Sequence, residues 1–381
     1  MRKIAVVTGT RAEYGYLKPL MNEIEKDEHL ELIPLVTGMH LLDEFGNTYK
    51  IVEKDFPNSI NIPMKLMGDS LKDMAVYLSS GIENFANFFE KSNVDIVVVL
   101  GDRSEALAAA LSALYLNIPI VHINGGDVTE GIIDEQIRHA LTKISHIHFV
   151  HNKKNAERIK RMGEEEKRIF ITGALTIDVI KNTKLKSKKE IFKQLDLNPH
   201  ETTFLVVQHP ITTLTDRGYH QFVTLFKVLN QLKKQTVLIY PNCDAGGKKI
   251  INLIKKNEDK SYLKIVKNLS HKDYLSLMKS ADLMIGNSSS GIIEAPSLKV
   301  PVLNIGSRQQ GRERSDNILD VNPKKDDIIQ AINYVLNDKK FQHKVKDCNN
   351  KFGDGTASKK IVKILKEICI TDSFIQKQLT Y

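Results

Sequence analysis

Tryptophan is absent from this chain of 381 residues and the other aromatics make up only 7% of it. No basic strand interleaved with aromatics and no RNA-reading motif occurs, so a stacking platform for nucleic acid is poorly supported. Cysteine is almost absent too. Cys243, Cys348 and Cys369 are odd in number, widely spaced and without a CxxC pair, which disfavours a disulfide framework and a zinc site and points to a reducing cytoplasm. Long apolar runs are missing: in MRKIAVVTGTRAEYG the run breaks at Thr8 and Gly9, too short for a signal peptide or a membrane span. The GxGxxG dinucleotide fingerprint, short internal repeats and low-complexity tracts are also lacking. Acidic residues are outnumbered, giving a formal charge of +9 and a pI near 9.1. The surplus is mostly lysine in helical stretches such as LKSKKEIFKQL and NDKKFQHKVKD, which read as solvated faces and not as a polyanion-binding surface.

What is present is a rhythm. KIAVVTG, LELIPLVTG, VDIVVVLGD, IPIVHING, HIHFV and RIFITG alternate with longer amphipathic segments, as in a βαβ series. After a lysine-rich helix around 181–196 the pattern restarts with TTFLVVQHP, QTVLIYPN, LKIVKN, DLMIGNSSS and VPVLNIG. The expectation is an α/β protein of two Rossmann-like domains, 1–178 and 179–360, with a linker near 173–200 and a last helix, about 361–381, returning to the first domain.

Three polar turn motifs follow strands of the second half: HPITT (209–213), PNCDAGGK (241–248) and GNSSSG (286–291). Loops leaving the carboxyl ends of parallel strands line a ligand crevice, so these are expected to converge. GNSSSGIIEAPSL brings small hydroxyls and bare glycine backbone to a helix start, where free N–H groups favour a diphosphate. Pro210 restricts His209 to an extended conformation that presents its imidazole at the crevice. Glu294 reads as early in the following helix, either complementing its dipole or accepting hydrogen bonds from a ribose.

The first half has its own polar loops. In GTRAEYG (9–15), Arg11 fits a phosphate or carboxylate, with a surface ion pair as the alternative. In LGDRSEALA, Asp102 is a helix N-cap, a catalytic carboxylate or both. HINGGDVTEGIIDEQIRHA (122–140) crowds Asp127, Glu130, Asp134 and Glu135 ahead of Arg138 and His139. From about Ile132 it reads as helix, with Asp134/Arg138 and Glu135/His139 as i,i+4 pairs. Such crowding also shifts carboxylates apart into acid and base. His122, His146, His148 and His151 lack a metal-ligand spacing and are expected as core or surface histidines, and no metal is expected.

Taken in order, GTRAEYG, GNTY, GDRSEALA, GGDVTEG with IDEQIRHALTK, QHPITT, PNCDAGGK, GNSSSGIIEAPS and GSRQQGRERSDNIL resemble the hydrolysing UDP-N-acetylglucosamine 2-epimerases of sialic-acid-type sugar biosynthesis, over about residues 1–320. The resemblance implies a glycosyltransferase-B-like pair of domains with UDP in an interdomain cleft, a UDP-sugar substrate and UDP product, a cytoplasmic homo-oligomer and no cofactor. It implies loss of UDP from C1 as the C2 proton leaves, then hydration of the acetamidoglucal to N-acetylmannosamine. It assigns Asp102 and Asp134 to catalysis, Arg11, Arg103 and His209 to the sugar or diphosphate, and Ser288, Ser289 and Ser290 to phosphate oxygens. Glu294 would take the ribose, with Asn242, Arg308 and Arg312 on the nucleotide side.

Asn124 departs from the family, where glutamate is frequent at this position. An amide cannot exchange a proton, so Asn124 would only orient the sugar or a water, and Asp127 or Glu130 would supply the acid. Tyr16 stands where non-hydrolysing relatives have lysine, which leans toward hydrolysis. Remaining alternatives are a UDP-2,4-diacetamido-2,4,6-trideoxy sugar as substrate, a non-hydrolysing epimerase, a glycosyltransferase of the same architecture, and a non-catalytic UDP-sugar sensor.

Overall fold

The apolar runs assemble into two parallel sheets in the computed structural model, which describes all residues except 44–45, 69, 129–132, 211–214, 242–246, 268 and 381. The chain divides into two compact units: Met1–Asp127, Ile133–Val179 and Phe352–Tyr381 form the first, and Val128–Ile132 with Ile180–Lys351 the second.

The first unit is built on strands β1 (Arg2–Thr8), β2 (Leu30–Thr37), β3 (Ile60–Ile62), β4 (Ile96–Leu100), β5 (Ile120–Ile123), β6 (Ile147–Val150) and β7 (Ile169–Ile171). Its helices are α1 (Arg11–Glu25), α2 (Tyr49–Asp55), α3 (Leu71–Lys91), α4 (Ser104–Tyr115), α5 (Ile133–Ile144) and α6 (Lys153–Arg161). The division between units falls within α7 (Leu175–Asn182). The strand order β3-β2-β1-β4-β5-β6-β7 reverses direction between β1 and β4. Both strands are buried on both faces, and their side chains alternate strictly. Ile4, Val6, Ile96 and Val98 join one apolar cluster, whereas Ala5, Val7, Val97 and Val99 join the other. That explains runs such as VVVL: a parallel sheet covered on both faces has no polar side to alternate with. Each fully buried aliphatic side chain contributes about 1.5–3 kcal/mol.

The second unit holds α8 (Lys188–Leu195), α9 (Thr215–Leu232), α10 (Gly247–Lys255), α11 (His271–Ser280), α12 (Ser289–Ile293), α13 (Lys325–Asn337) and α14 (Lys339–Asp347) around a six-stranded sheet. Its strands are β8 (Thr203–Val207), β9 (Gln235–Ile239), β10 (Leu263–Val266), β11 (Leu283–Gly286), β12 (Val302–Ile305) and β13 (Ile318–Val321). The order β10-β9-β8-β11-β12-β13 reverses between β8 and β11, where Val207 pairs with Gly286. Gly286 has φ +138°, and a Cβ there would lie 2.0 Å from the Val207 carbonyl oxygen, so no other residue fits that approach.

Past the second unit, α15 (Ala357–Glu367) sets Ile361, Val362 and Leu365 in the same apolar cluster as Leu17 and Leu20 of α1. It is shorter than the 361–381 helix read from sequence; only the single turn α16 (Asp372–Ile375) follows it. Two strands were not foreseen. β3 and β13 are edge strands of three and four residues, too short and too exposed for a periodic signal. No helix among the described residues is long and apolar enough to cross a membrane.

Candidate active site

Direction reversals in parallel sheets open at the carboxyl ends of the two flanking strands, and ligands bind there. In the first unit these ends carry GTRAEYG after β1 and GDRSE after β4. Thr10 caps α1 through a 3.2 Å hydrogen bond from Glu13 N–H, leaving Arg11 exposed in the first turn. Glu13 is buried and accepts from Gly9 N–H at 2.6 Å. Burial, opposed by that hydrogen bond and aided by nearby Glu105, pushes its carboxyl up to about 8.

Glu105 is itself buried and is the partner of Arg103: Nε and Nη2 lie 3.2 and 3.3 Å from its two oxygens, and Tyr77 O–H donates to it at 2.9 Å. Burial works against the charged guanidinium of Arg103, but Glu105 outweighs it and raises the pKa. Half-exposed Arg103 is thus held from beneath by a buried carboxylate.

Asp102 does not cap α4; the N-cap is Arg103, without a side-chain capping bond. Asp102 instead pairs with Nη2 of Arg138. Arg138, 3% exposed, is the hub of the site. Its Nη1 donates to Glu135 at 2.5 Å and to the Asp127 carbonyl at 3.2 Å, and Glu135 also meets His139 at 3.1 Å. Burial disfavours the Arg138 cation, but Asp102, Asp127 and Glu135 together push its pKa up. The Glu135/His139 pair is the i,i+4 contact read from sequence, while Arg138 engages Glu135 one turn back and a strand end 36 residues away. Asp134 lies half-buried in the first turn of α5. Glu130 is outside the described residues.

At the end of β5, Asn124 adopts φ +70°, a left-handed conformation that asparagine tolerates. Its Oδ1 accepts from His151 Nε2 at 2.6 Å. His122 donates from Nε2 to the Gly101 carbonyl at 2.7 Å, and burial holds its pKa down to about 3. His148 is buried against Glu164. Among the described residues no group of three His, Cys, Asp or Glu side chains is arranged to hold a metal.

In the second unit β9, β8 and β11 are neighbours, so the loops carrying PNCDAGGK, HPITT and GNSSSG leave one end of the sheet. Buried Asn287 accepts from His209 N–H at 2.7 Å and donates to the His209 carbonyl at 2.9 Å. Its own carbonyl receives Arg308 Nη1 at 3.1 Å and Gln309 Nε2 at 2.9 Å. Ser288 caps α12, Ser289 opens it, and Ser290 Oγ lies 2.9 Å from Ser288 Oγ and 2.6 Å from the Tyr274 hydroxyl.

Glu294 is not early in a helix. α12 has five residues, and Glu294 is its C-cap and the N-cap of the short 3-10 turn Ala295–Leu298, to which its side chain makes no capping bond. It is buried and meets His271 Nε2 at 3.1 Å, which removes the dipole-complement reading. Arg312 Nε donates to the Val128 carbonyl at 3.1 Å. Asn242 is outside the described residues.

Glu13, Glu105, Glu135, Arg138 and His151 were not assigned site roles from the sequence. Arg138 carried a signal, an arginine following clustered acids, but its burial and its bond to Asp102 depend on the fold.

Two doubly wound parallel sheets with polar, charge-bearing loops at both direction reversals define an α/β protein built of two Rossmann-like units. The family model described as UDP-N-acetylglucosamine 2-epimerase matches residues 22–366, and the chain belongs to that family. The chain is similar to the UDP-N,N'-diacetylbacillosamine 2-epimerase (hydrolyzing) of Legionella pneumophila, at 36% identity over 100% of both chains. It is also similar to the GDP/UDP-N,N'-diacetylbacillosamine 2-epimerase (hydrolyzing) of Campylobacter jejuni, at 41% identity over 84% of each. Its fold is that of the Neisseria meningitidis UDP-GlcNAc 2-epimerase crystal structure bound to UDP-GlcNAc, with TM-score 0.80, 20% identity and coverage of 96% of this chain and 100% of that one.

Proposed function

We propose that the protein is a hydrolysing 2-epimerase of a UDP-linked 2-acetamido sugar, releasing UDP and the free 2-epimer. One observation carries the reading. An acidic cluster is gathered on one buried arginine at the carboxyl ends of β4 and β5, in a chain similar over its length to relatives whose names include hydrolysis. The reaction removes the C2 proton, expels UDP from C1, and adds the hydrogen of water to C2 of the resulting glycal and its hydroxyl to C1. It needs carboxylates of different proton affinity near the sugar and cations near the departing diphosphate.

Within this reading Asp102 and Asp134, with Asp127 and Glu130, serve the proton transfers. Arg138 orients Asp102. Arg11 and Arg103 face the diphosphate, and Glu105 aims Arg103. Asn124, a neutral amide, orients the sugar or a water. In the second unit His209, Ser288, Ser289, Ser290, Arg308 and Arg312 take the diphosphate and nucleotide, with Asn242 beside them, and Glu294 takes the ribose. Arginines and backbone amides suffice to stabilise the leaving group, so no metal or cofactor enters the scheme. Cytoplasmic location and homo-oligomerisation are part of the same reading.

For the sugar, the two similar relatives favour UDP-N,N'-diacetylbacillosamine, a 2,4-diacetamido-2,4,6-trideoxy sugar. This reverses the order suggested by motif resemblance, which put UDP-N-acetylglucosamine and its product N-acetylmannosamine first. The family description keeps UDP-N-acetylglucosamine as the second reading. Proton NMR in deuterated buffer with each UDP-sugar in parallel tests both. Free 2-epimer carrying deuterium at C2, with UDP accumulating, supports hydrolytic epimerisation and identifies the sugar. A UDP-linked 2-epimer in equilibrium with substrate would make the enzyme non-hydrolysing, and binding without turnover of either would reduce it to a sensor.

A further inference from the structure

The chain beyond α15 is anchored to the first unit at three points. The Phe374 ring stacks on His146 with centroids 5.9 Å apart, and the Arg168 guanidinium lies 4.8 Å from the Phe374 centroid. Thr380 N–H donates to the Gly163 carbonyl at 3.2 Å. Between these anchors Lys377 reaches the carboxyl end of α5. Its ammonium donates to the carbonyls of Thr142 at 3.4 Å, Lys143 and Ser145 at 2.9 Å, and pairs with Glu164 at 2.7 Å.

The last carbonyls of a helix have no partner within it, and the dipole favours a cation there. One ammonium group meets both needs at α5. Glu164 completes the arrangement: its side chain is fully buried and also accepts from Lys143 at 2.7 Å and His148 at 3.2 Å. Burial alone would raise the Glu164 carboxyl, but hydrogen bonds from His148, Lys143 and Lys377 outweigh it and bring it down to about 2. A permanent anion thus holds Lys377 against the helix end. The first turn of α5, at its opposite end, carries Asp134 and Glu135, and Arg138 and His139 follow one turn on, at mid-helix.

We infer that Lys377 is a positioning residue for the acid-bearing helix. The C-terminal tail is a strap whose ammonium group fixes the carboxyl end of α5 to buried Glu164, and so holds Glu135 and Arg138 in register with Asp102. The inference rests on the reading of that cluster as catalytic, whereas the mechanical part stands on the contacts alone.

The test uses the full-length chain with Lys377→Met, which keeps the apolar stem and removes the charge, and Lys377→Arg. Hydrogen exchange of residues 133–144 is expected to accelerate roughly ten-fold in the methionine variant, with the amides of β1 and β4 unchanged. Turnover of the UDP-sugar should fall with KM nearly constant. In Lys377→Ala, which leaves room for the amine, added ethylammonium should restore part of both, and Lys377→Arg should retain most of both. If methionine prevents folding, Lys377→Gln replaces it with the same readouts.

Unchanged exchange in α5, or faster exchange with undiminished turnover, would overturn the positioning role. Exchange rising evenly across the unit without ethylammonium rescue would also overturn it, as the mark of general destabilisation. If the wild-type chain turns over neither sugar, the proposed function fails, and local, ethylammonium-sensitive exchange in α5 still decides the strap.

Discussion

Asn287 grips the backbone of His209 from both sides, accepting its N–H at 2.7 Å and donating to its carbonyl at 2.9 Å. A side-chain amide is the one group of this size with a donor and an acceptor so placed. It joins the loop after β8 to the loop after β11 at the direction reversal, 78 residues apart in sequence. Asn287→Asp keeps the acceptor but sets a carboxylate oxygen against the His209 carbonyl, while Arg308 and Gln309 keep their bonds to the main-chain carbonyl of residue 287. Loss of one buried hydrogen bond and exposure of an unpaired acceptor cost about 1–3 kcal/mol. Thermal unfolding should show that loss. If His209 acts on substrate, kcat/KM should fall further than it does in a core variant of equal stability, such as Leu225→Val.

Arg138 separates charge pairing from proton transfer. Asp102→Asn preserves shape but removes one of the carboxylates around buried Arg138. If Asp102 transfers protons, kcat should fall by about 10²–10⁴, the usual span of general acid–base catalysis, with a smaller loss of stability than in the arginine variant because Glu135 still pairs Arg138. Arg138→Met leaves Asp102 and Glu135 without their buried counter-ion and should destabilise the chain by about 3–5 kcal/mol. Denaturant unfolding alongside steady-state kinetics distinguishes the two. Equal destabilisation by both would mean that Asp102 is a structural ion-pair partner only.

In the proposed reading Asn124 stands where the resembling family frequently has a proton-exchanging glutamate, and its carbonyl is committed to His151 at 2.6 Å. Aspartate accepts the same left-handed backbone but carries no N–H donor. Loss of one orienting hydrogen bond should raise KM about ten-fold and leave kcat within a few-fold. A rise in kcat accompanied by a new acidic limb in the pH profile would show instead that the native site lacks a proton-transfer group.

How much of this could be read beforehand follows from how local each signal is. The buried strands were legible because a sheet covered on both faces forces continuous apolar β-branched runs, as in Ile96–Leu100. The loop motifs were legible because glycine and serine at strand ends are local chemistry. Glu294 was misread because the helix before it ends after five residues, and the sign of that stop, Pro296, lies two residues further on. Arg138 and Glu105 were missed for the opposite reason. Their roles depend on Asp102 across 36 residues and on Tyr77 across 28, and burial of a charged side chain has no signature in the chain itself.

Glu13 ties the stability of the first unit to pH. Burial, with a smaller contribution from Glu105, raises its folded pKa to about 8 against an ordinary 4.5, so between these values the folded state holds a proton that the unfolded chain releases. For a raised pKa the stabilisation is complete below the unfolded value and is lost as pH climbs through the folded one. The Glu13 contribution to stability should therefore be lost, on the order of a few kcal/mol, from about pH 4.5 to pH 8, and the comparison with a variant isolates it from the opposite contribution of the buried histidines. Glu13→Gln keeps an oxygen to accept from Gly9 N–H and never ionises. It should match the wild type near pH 4.5 and exceed it by a margin that grows toward pH 8. Denaturant midpoints at four pH values suffice to measure this. Parallel curves for the two proteins would mean that Glu13 is ionised in the fold, its charge carried by the Gly9 amide and by Arg103 despite its burial.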